Sequence, residues 1–223
     1  GASGGGLTVA GSTSIQPFAD RWAEIYQRLH PDRVVNVQGG GSSAGIQAAR
    51  SGAAQIGMSS RELKPDEKDL TEYVVARDGL AIVVHRLNPL GDISLDRVRD
   101  VFAGRIRTWD GLGDGSGRIT VVTREEGSGT RGAFQELVMG KARIARKAIV
   151  EDSNGTVRAI VAQDPRSIGY ISLGLVDATV KALALDGVEA SDPNILAGRY
   201  PLVRPFLFVT NGPPGPDARA FLD

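Results

Sequence analysis

Short apolar runs recur along the chain, each followed by a glycine- or serine-rich turn and then by a stretch of helical periodicity. Residues 7–10 (Leu-Thr-Val-Ala) form a short buried strand, Gly11-Ser12-Thr13-Ser14 a turn, and residues 15–29 a helix. Phe18, Trp22, Ile25, Tyr26 and Leu29 recur at spacings of three and four and predict one apolar stripe on that helix. Pro31 ends it by disfavouring helical backbone at His30. Residues 34–38 are a strand, Gly39-Gly40-Gly41-Ser42-Ser43 a turn, 44–50 a short helix, and 54–58 a strand that runs into Ser59-Ser60-Arg61. The same grammar returns later. A longer apolar strand spans 80–85, and a helix spans 95–102 with Ser94 as N-cap. A strand at 119–123 leads through a polar loop to a helix at 131–139, and a short helix at 157–162 precedes a buried strand at 168–171.

Strand, turn and helix in this order imply parallel strands joined by right-handed crossovers. The turns after the strands then open on one sheet edge, where ligands of such folds bind. Two α/β units, linked by 80–85 outward and 202–210 on return, predict a two-lobed protein with a cleft. Its domains are expected to be discontinuous: 1–84 plus 200–223 in one lobe and 85–199 in the other. Ligand binding is expected to close the lobes by a hinge near His85 and residues 200–205.

Composition narrows the partners. The 223 residues carry 26 Lys+Arg against 26 Asp+Glu, a formal net charge of zero, with 41% hydrophobic and 23% charged residues. That balance argues against nucleic acid and against a polybasic membrane patch, so a bound anion must be held by local geometry. The absence of cysteine excludes disulfides, thiolate metal sites and cysteine nucleophiles. No run approaches the roughly 18 apolar residues of a spanning helix. The opening Gly1-Ala2-Ser3-Gly4-Gly5-Gly6 reads as a flexible tether left by processing or as an expression remnant.

Three turns share a composition suited to anions: Gly11-Ser12-Thr13-Ser14, Gly39-Gly40-Gly41-Ser42-Ser43 and Glu126-Gly127-Ser128-Gly129-Thr130. Each opens a helix, whose N-terminus presents unpaired N–H donors and about half a positive charge. One terminus contributes only about 0.3–1 kcal/mol, whereas micromolar affinity requires about 8 kcal/mol. One such turn is therefore an ordinary capped helix start; three on one sheet edge point to an anion site. Arg124 is the candidate for a direct guanidinium contact, its alternative being a surface ion pair with Glu125 or Glu126. Glu126 can accept a hydrogen bond from monohydrogen phosphate and would repel sulfate, which has no proton to donate; it can equally pair with an arginine. Arg61 and Arg131 are weaker candidates at the rim.

An enzyme would need an activated nucleophile, a base or a metal. The two histidines, His30 before a helix-ending proline and His85 at the end of an apolar strand, read as structural or surface residues. The nucleophile elbow and the P-loop lysine pattern are absent, and no histidine–carboxylate cluster suggests a metal. No catalytic residues and no cofactor are expected.

Several segments resemble the phosphate-binding protein of the high-affinity phosphate ABC transporter. They are Ala10-Gly11-Ser12-Thr13, Gly41-Ser42-Ser43-Ala44-Gly45, Ile56-Gly57-Met58-Ser59-Ser60-Arg61-Glu62-Leu63-Lys64, Arg124-Glu125-Glu126-Gly127-Ser128-Gly129-Thr130-Arg131, Ile168-Gly169-Tyr170 and Tyr200-Pro201-Leu202-Val203-Arg204-Pro205. The resemblance implies an α/β, two-lobed type 2 periplasmic-binding-protein fold, each lobe a mostly parallel sheet flanked by helices. It implies contacts to inorganic phosphate from Thr13, Ser14, Ser42, Arg124, Ser128, Gly129 and Thr130. The best-known members carry a proton-accepting aspartate where this chain has Ser60; Arg61 adds charge beside it. In the family the acid at the position of Glu126 pairs with the arginine. The implied protein is a monomer, periplasmic or lipid-anchored, that delivers its ion to permease subunits. Sulfate, molybdate or another oxyanion is the alternative ligand.

Overall fold

The computed structural model describes residues 6–113 and 115–223. Of the expected tether over residues 1–6, residues 1–5 lie outside the described residues. In chain order the elements are β1 (Leu7–Gly11), α1 (Gln16–Leu29), β2 (Val35–Gln38), α2 (Ser42–Ser51), β3 (Ile56–Ser59) and β4 (Thr71–His85). They continue with β5 (Asp92–Ile93), α3 (Leu95–Phe102), β6 (Thr120–Arg124), α4 (Gly129–Phe134), β7 (Ile149–Glu151) and α5 (Asn154–Gln163). The last are β8 (Ser167–Ser172), β9 (Val180–Ala182), β10 (Ala184–Leu185), α6 (Asp192–Leu196), β11 (Val203–Thr210) and α7 (Pro216–Leu222).

The chain divides into two compact units: one runs through Arg77 and adds Gly127–Gly129 and Pro205–Asp223, and the other comprises Asp78–Glu126 and Thr130–Arg204. The backbone passes from one to the other after Arg77, Glu126, Gly129 and Arg204.

In the first unit the strand order is β2-β1-β3-β11, with the first three parallel and β11 antiparallel to β3. Val9 sits in register between Val37 and Ile56. Strand β11 alternates its side chains between two cores, as the two-residue period requires. Phe206 and Phe208 join Leu7, Val9, Ile15, Ala19 and Met58, whereas Leu207 and Val209 join Ile46, Ala49, Leu63 and Leu70.

Helix α1 corrects the predicted stripe. Its buried face is Ala19 and Ala23, continuing from Ile15, while Ile25 is 46% and Leu29 72% exposed. Small residues let the helix axis approach the strands. The larger Phe18 and Trp22 flank that contact and lean on Phe206 and Phe208, with ring centroids 6.3 and 5.8 Å apart.

In the second unit the order is β4-β8-β6-β7, with β9 also on β4. Strand β6 is parallel to both β7 and β8, and β4 runs antiparallel to β8. A large core gathers Leu80, Ile82, Val98, Phe102, Phe134, Tyr170 and Leu202. Helix α3 has the predicted bounds, and Ser94 Oγ accepts from Arg97 N at 3.2 Å as its cap. Strand β4 begins at Thr71, nine residues before the apolar run. Its first half is largely exposed, so polar residues mask it in the sequence.

Candidate functional site

In the first unit the strand-to-helix turns draw together because glycines remove the side chains between them. Gly45, inside α2, lies so close to the strand ends that a β-carbon there would meet Ala10 O at 2.4 Å and Gly11 Cα at 2.6 Å. Gly11 itself has φ +141°, a backbone that L side chains rarely adopt, and its carbonyl accepts from Gly41 N at 2.9 Å. Helix α2 therefore starts at Ser42, two residues earlier than its periodicity predicts, and Gly41 with φ 98° turns the chain into it.

This packing buries the Ser42 hydroxyl completely. Ser42 Oγ accepts from Ser60 N at 2.9 Å and lies 3.2 Å from Ser60 Oγ. Residues 127–129 dock on the same helix start. Gly127 O accepts from Ser43 N at 3.1 Å, and a β-carbon on Gly129 would come within 2.0 Å of Ser42 Oγ and 2.5 Å of Ser60 Oγ. Ser12 Oγ accepts from Ser14 N at 3.1 Å and shapes the turn before α1, where Ser14 is buried. Thr13 approaches Gly39, where an added β-carbon would lie 3.5 Å from Thr13 Cγ2. Buried donors from four turns thus meet in one unit, as anion recognition by neutral groups requires. Ser128 is buried as well, and Thr130 follows Gly129 directly in the chain.

In the second unit Arg124, at the end of β6, is 1% exposed. Its Nε and Nη2 donate to the two carboxylate oxygens of Glu125, both at 3.1 Å. They also donate to the carbonyls of Glu151 and Asp152, both at 3.2 Å. The Tyr170 hydroxyl accepts from Arg124 N at 3.3 Å and lies 2.6 Å from Thr123 Oγ1. Burial pushes the Tyr170 phenol up, so it remains a neutral partner. Its ring stacks on Phe134 at 4.1 Å, which fixes the end of β6 from below. Thr130 is fully buried, and its Oγ1 accepts from Arg204 Nη1 at 2.7 Å. Arg204 in turn donates Nε and Nη2 to Asp78 Oδ2, at 3.1 and 2.9 Å.

Two expectations change. The acid that grips Arg124 is Glu125, bidentate through a local bend, and Glu126 is exposed. Arg61 is committed elsewhere: Nη1 and Nη2 donate to both oxygens of Glu67 at 2.7 and 3.1 Å, and further to Glu62 O and Ser43 Oγ. Four of its five N–H groups are thereby engaged within the protein. Burial alone would raise the Glu67 carboxyl, but the bonds from Arg61 and from Lys64 N outweigh it and hold the group below its ordinary value. Its contribution to stability is complete above that ordinary value and is lost as pH falls through the lower folded one. Glu67→Gln is expected to cost about 3 kcal/mol at neutral pH, as breaking a buried pair does. Urea melts at pH 7 and pH 3.5 check this, and the gap to wild type should shrink at the lower pH.

Sequence reasoning missed Ser12, Asp78 and Arg204 as contributors and gave Glu125 only as an alternative partner of Arg124. Arg204 had a signal, as a lone charge within the apolar run 202–209, whereas Asp78 stands beside Arg77 and had none. Among the described residues no group of acidic or histidine side chains is placed to hold a metal. His85 is buried, and its Nδ1 accepts from Leu87 N at 3.2 Å in a turn.

An α/β fold with parallel strands, and turns that present buried hydroxyls and amides at their carboxyl ends, define a solute-binding protein of the periplasmic-binding-protein type 2 class. A family model described as "PBP superfamily domain" matches residues 1–223. The chain is 38% identical over 224 residues to the phosphate-binding protein PstS of Bacillus subtilis, covering 98% of this chain and 74% of that one. It is similar to the crystal structure of a phosphate ABC transporter substrate-binding protein from Clostridium perfringens with bound phosphate. That match has TM-score 0.95 and 39% identity and covers 98% of this chain and 92% of the other. An ABC-type phosphate transport receptor from Vibrio cholerae matches with TM-score 0.81 and 36% identity, over 97% and 93% of the two chains. The chain belongs to this superfamily and, within it, to the phosphate-binding proteins of phosphate ABC transport.

Proposed function

We propose that the protein captures inorganic phosphate outside the cytoplasm and delivers it to an ABC transporter. It binds the ion and performs no chemistry on it. The observation that carries this reading is likeness at TM-score 0.95 over 98% of the chain to a protein with phosphate bound. The donors supplied by the turns described above support it. Thr13, Ser14, Ser42, Ser60, Arg124, Ser128, Gly129 and Thr130 are the residues that contact the ion in this reading. Arg61 and Glu126 stand outside this set. The protein is periplasmic or lipid-anchored at the outer face of the cytoplasmic membrane, works as a monomer, and passes its ion to permease subunits. No helix among the described residues is long and apolar enough to cross a membrane.

Ser60 accepts a hydrogen bond from the hydroxyl of the ligand. The Ser42 and Ser60 hydroxyls lie 3.2 Å apart and share one hydrogen bond, in which either can be the donor. Such a pair donates to a phosphate oxygen and accepts from a phosphate hydroxyl. It also lacks the charge with which a carboxylate repels a fully ionised oxyanion, which favours a second reading in which sulfate is tolerated. Calorimetric titration with phosphate at pH 7, alone and with sulfate present, tests both readings. Micromolar or tighter phosphate binding is expected, with sulfate competing only at much higher concentration. Equal affinities would replace a phosphate protein with a general oxyanion one.

A further inference from the structure

Asp78, Thr130 and Arg204 are the second-unit residues at three of the four points where the chain changes units. One guanidinium joins all three. Arg204 is 2% exposed, bonds Asp78 through Nε and Nη2, and donates Nη1 to Thr130 Oγ1 at 2.7 Å. The same neighbourhood is locked by Tyr200, whose hydroxyl donates to Leu80 O at 2.7 Å, and by Leu80 N donating to Leu202 O at 2.8 Å. Burial lowers the affinity of the Arg204 guanidinium for its proton, and the charge and hydrogen bonds of Asp78 oppose that shift.

A hydroxyl that accepts from a guanidinium sends its own hydrogen away from that cation. We infer that Arg204 is a positioning residue: it orients the Thr130 hydroxyl as a donor to the bound ion and, through Asp78, ties that hydroxyl to the two strands on which the chain changes units. Phosphate affinity then depends on a side chain that acts through Thr130. This rests on the proposed phosphate site. Arg204 stabilises the fold in any case. What separates the positioning role is coupling to Thr130.

The test is a double-mutant cycle on the full chain, with calorimetric phosphate affinities and thermal midpoints for every variant. Thr130→Val is expected to weaken binding about 10-fold, as loss of one charge-assisted hydrogen bond does. The pair Asp78→Asn with Arg204→Gln, which leaves no lone buried charge, should weaken it by a similar factor. Adding Thr130→Val to that pair should then cost less than a further twofold. Arg204→Lys, which keeps the charge opposite Asp78 but lacks the fork that reaches both partners, should show the same non-additivity if the neutral pair melts too low to titrate. Losses that multiply, or wild-type affinity in the Arg204 variants despite a lowered midpoint, overturn the inference. A wild-type protein without phosphate affinity overturns the underlying site as well, so the two failures are told apart by the first titration.

Discussion

Arg124→Ala is expected to weaken phosphate binding by at least 100-fold while leaving a folded protein. The guanidinium is buried at the end of β6 and held rigidly by Glu125 and by the carbonyls of Glu151 and Asp152. A cation fixed in this way adds charge-assisted hydrogen bonds of about 1.5–3 kcal/mol each without further ordering cost. Two of them account for a loss of that size. Alanine also leaves Glu125 without its bidentate partner, and Glu125 is partly exposed, so water can replace the lost donors. Far-ultraviolet circular dichroism should therefore be retained while the calorimetric signal vanishes. Affinity within threefold of wild type would remove Arg124 from the site.

Gly45→Ala should have the largest effect on stability. Its β-carbon would fall 2.4 Å from Ala10 O and 2.6 Å from Gly11 Cα, both backbone atoms that no rotamer change can move. Helix α2 would have to lift from β1 and β3, opening the core of Ile46, Ala49, Leu63 and Leu70. Overpacking of this kind costs about 3 kcal/mol or more. Gly52→Ala provides the control. Gly52 has φ +80° and nothing within 4 Å of its β-carbon, so only backbone strain of about 1–2 kcal/mol is expected there. Urea unfolding of both variants checks the order, and equal midpoints would show that the close approach is not what sets the start of α2.

The elements near the site are legible in the sequence with small errors at their edges, because glycine and serine mark where strands end. Periodicity starts α2 two residues too late, since Ser42 and Ser43 look like turn residues until Gly41 is seen to make the turn before them. On α1 the pattern favours the large side chains, although distance to the sheet selects Ala19 and Ala23. Period alone does not say which of two adjacent faces is inward when one is small and the other aromatic. Charge and proximity in sequence suggest Arg61 and Glu126 as neighbours of the ligand. The competing partner Glu67 lies six residues beyond Arg61, in a 3-10 turn, and no pattern in Glu62-Leu63-Lys64-Pro65 announces that it folds back. Asp78 and Arg204 are 126 residues apart, so their pairing depends on the tertiary course of β4 and β11.

Phosphate capture as proposed requires amides and hydroxyls from separate strand-to-helix turns to grip a single ion. A crystal structure of the phosphate complex tests this most directly. Phosphate oxygens should lie within about 3 Å of Ser42 Oγ, Gly129 N, Thr130 Oγ1 and the Arg124 guanidinium. A phosphate ion that leaves Ser42 and Gly129 untouched, or that binds at another surface altogether, would contradict it.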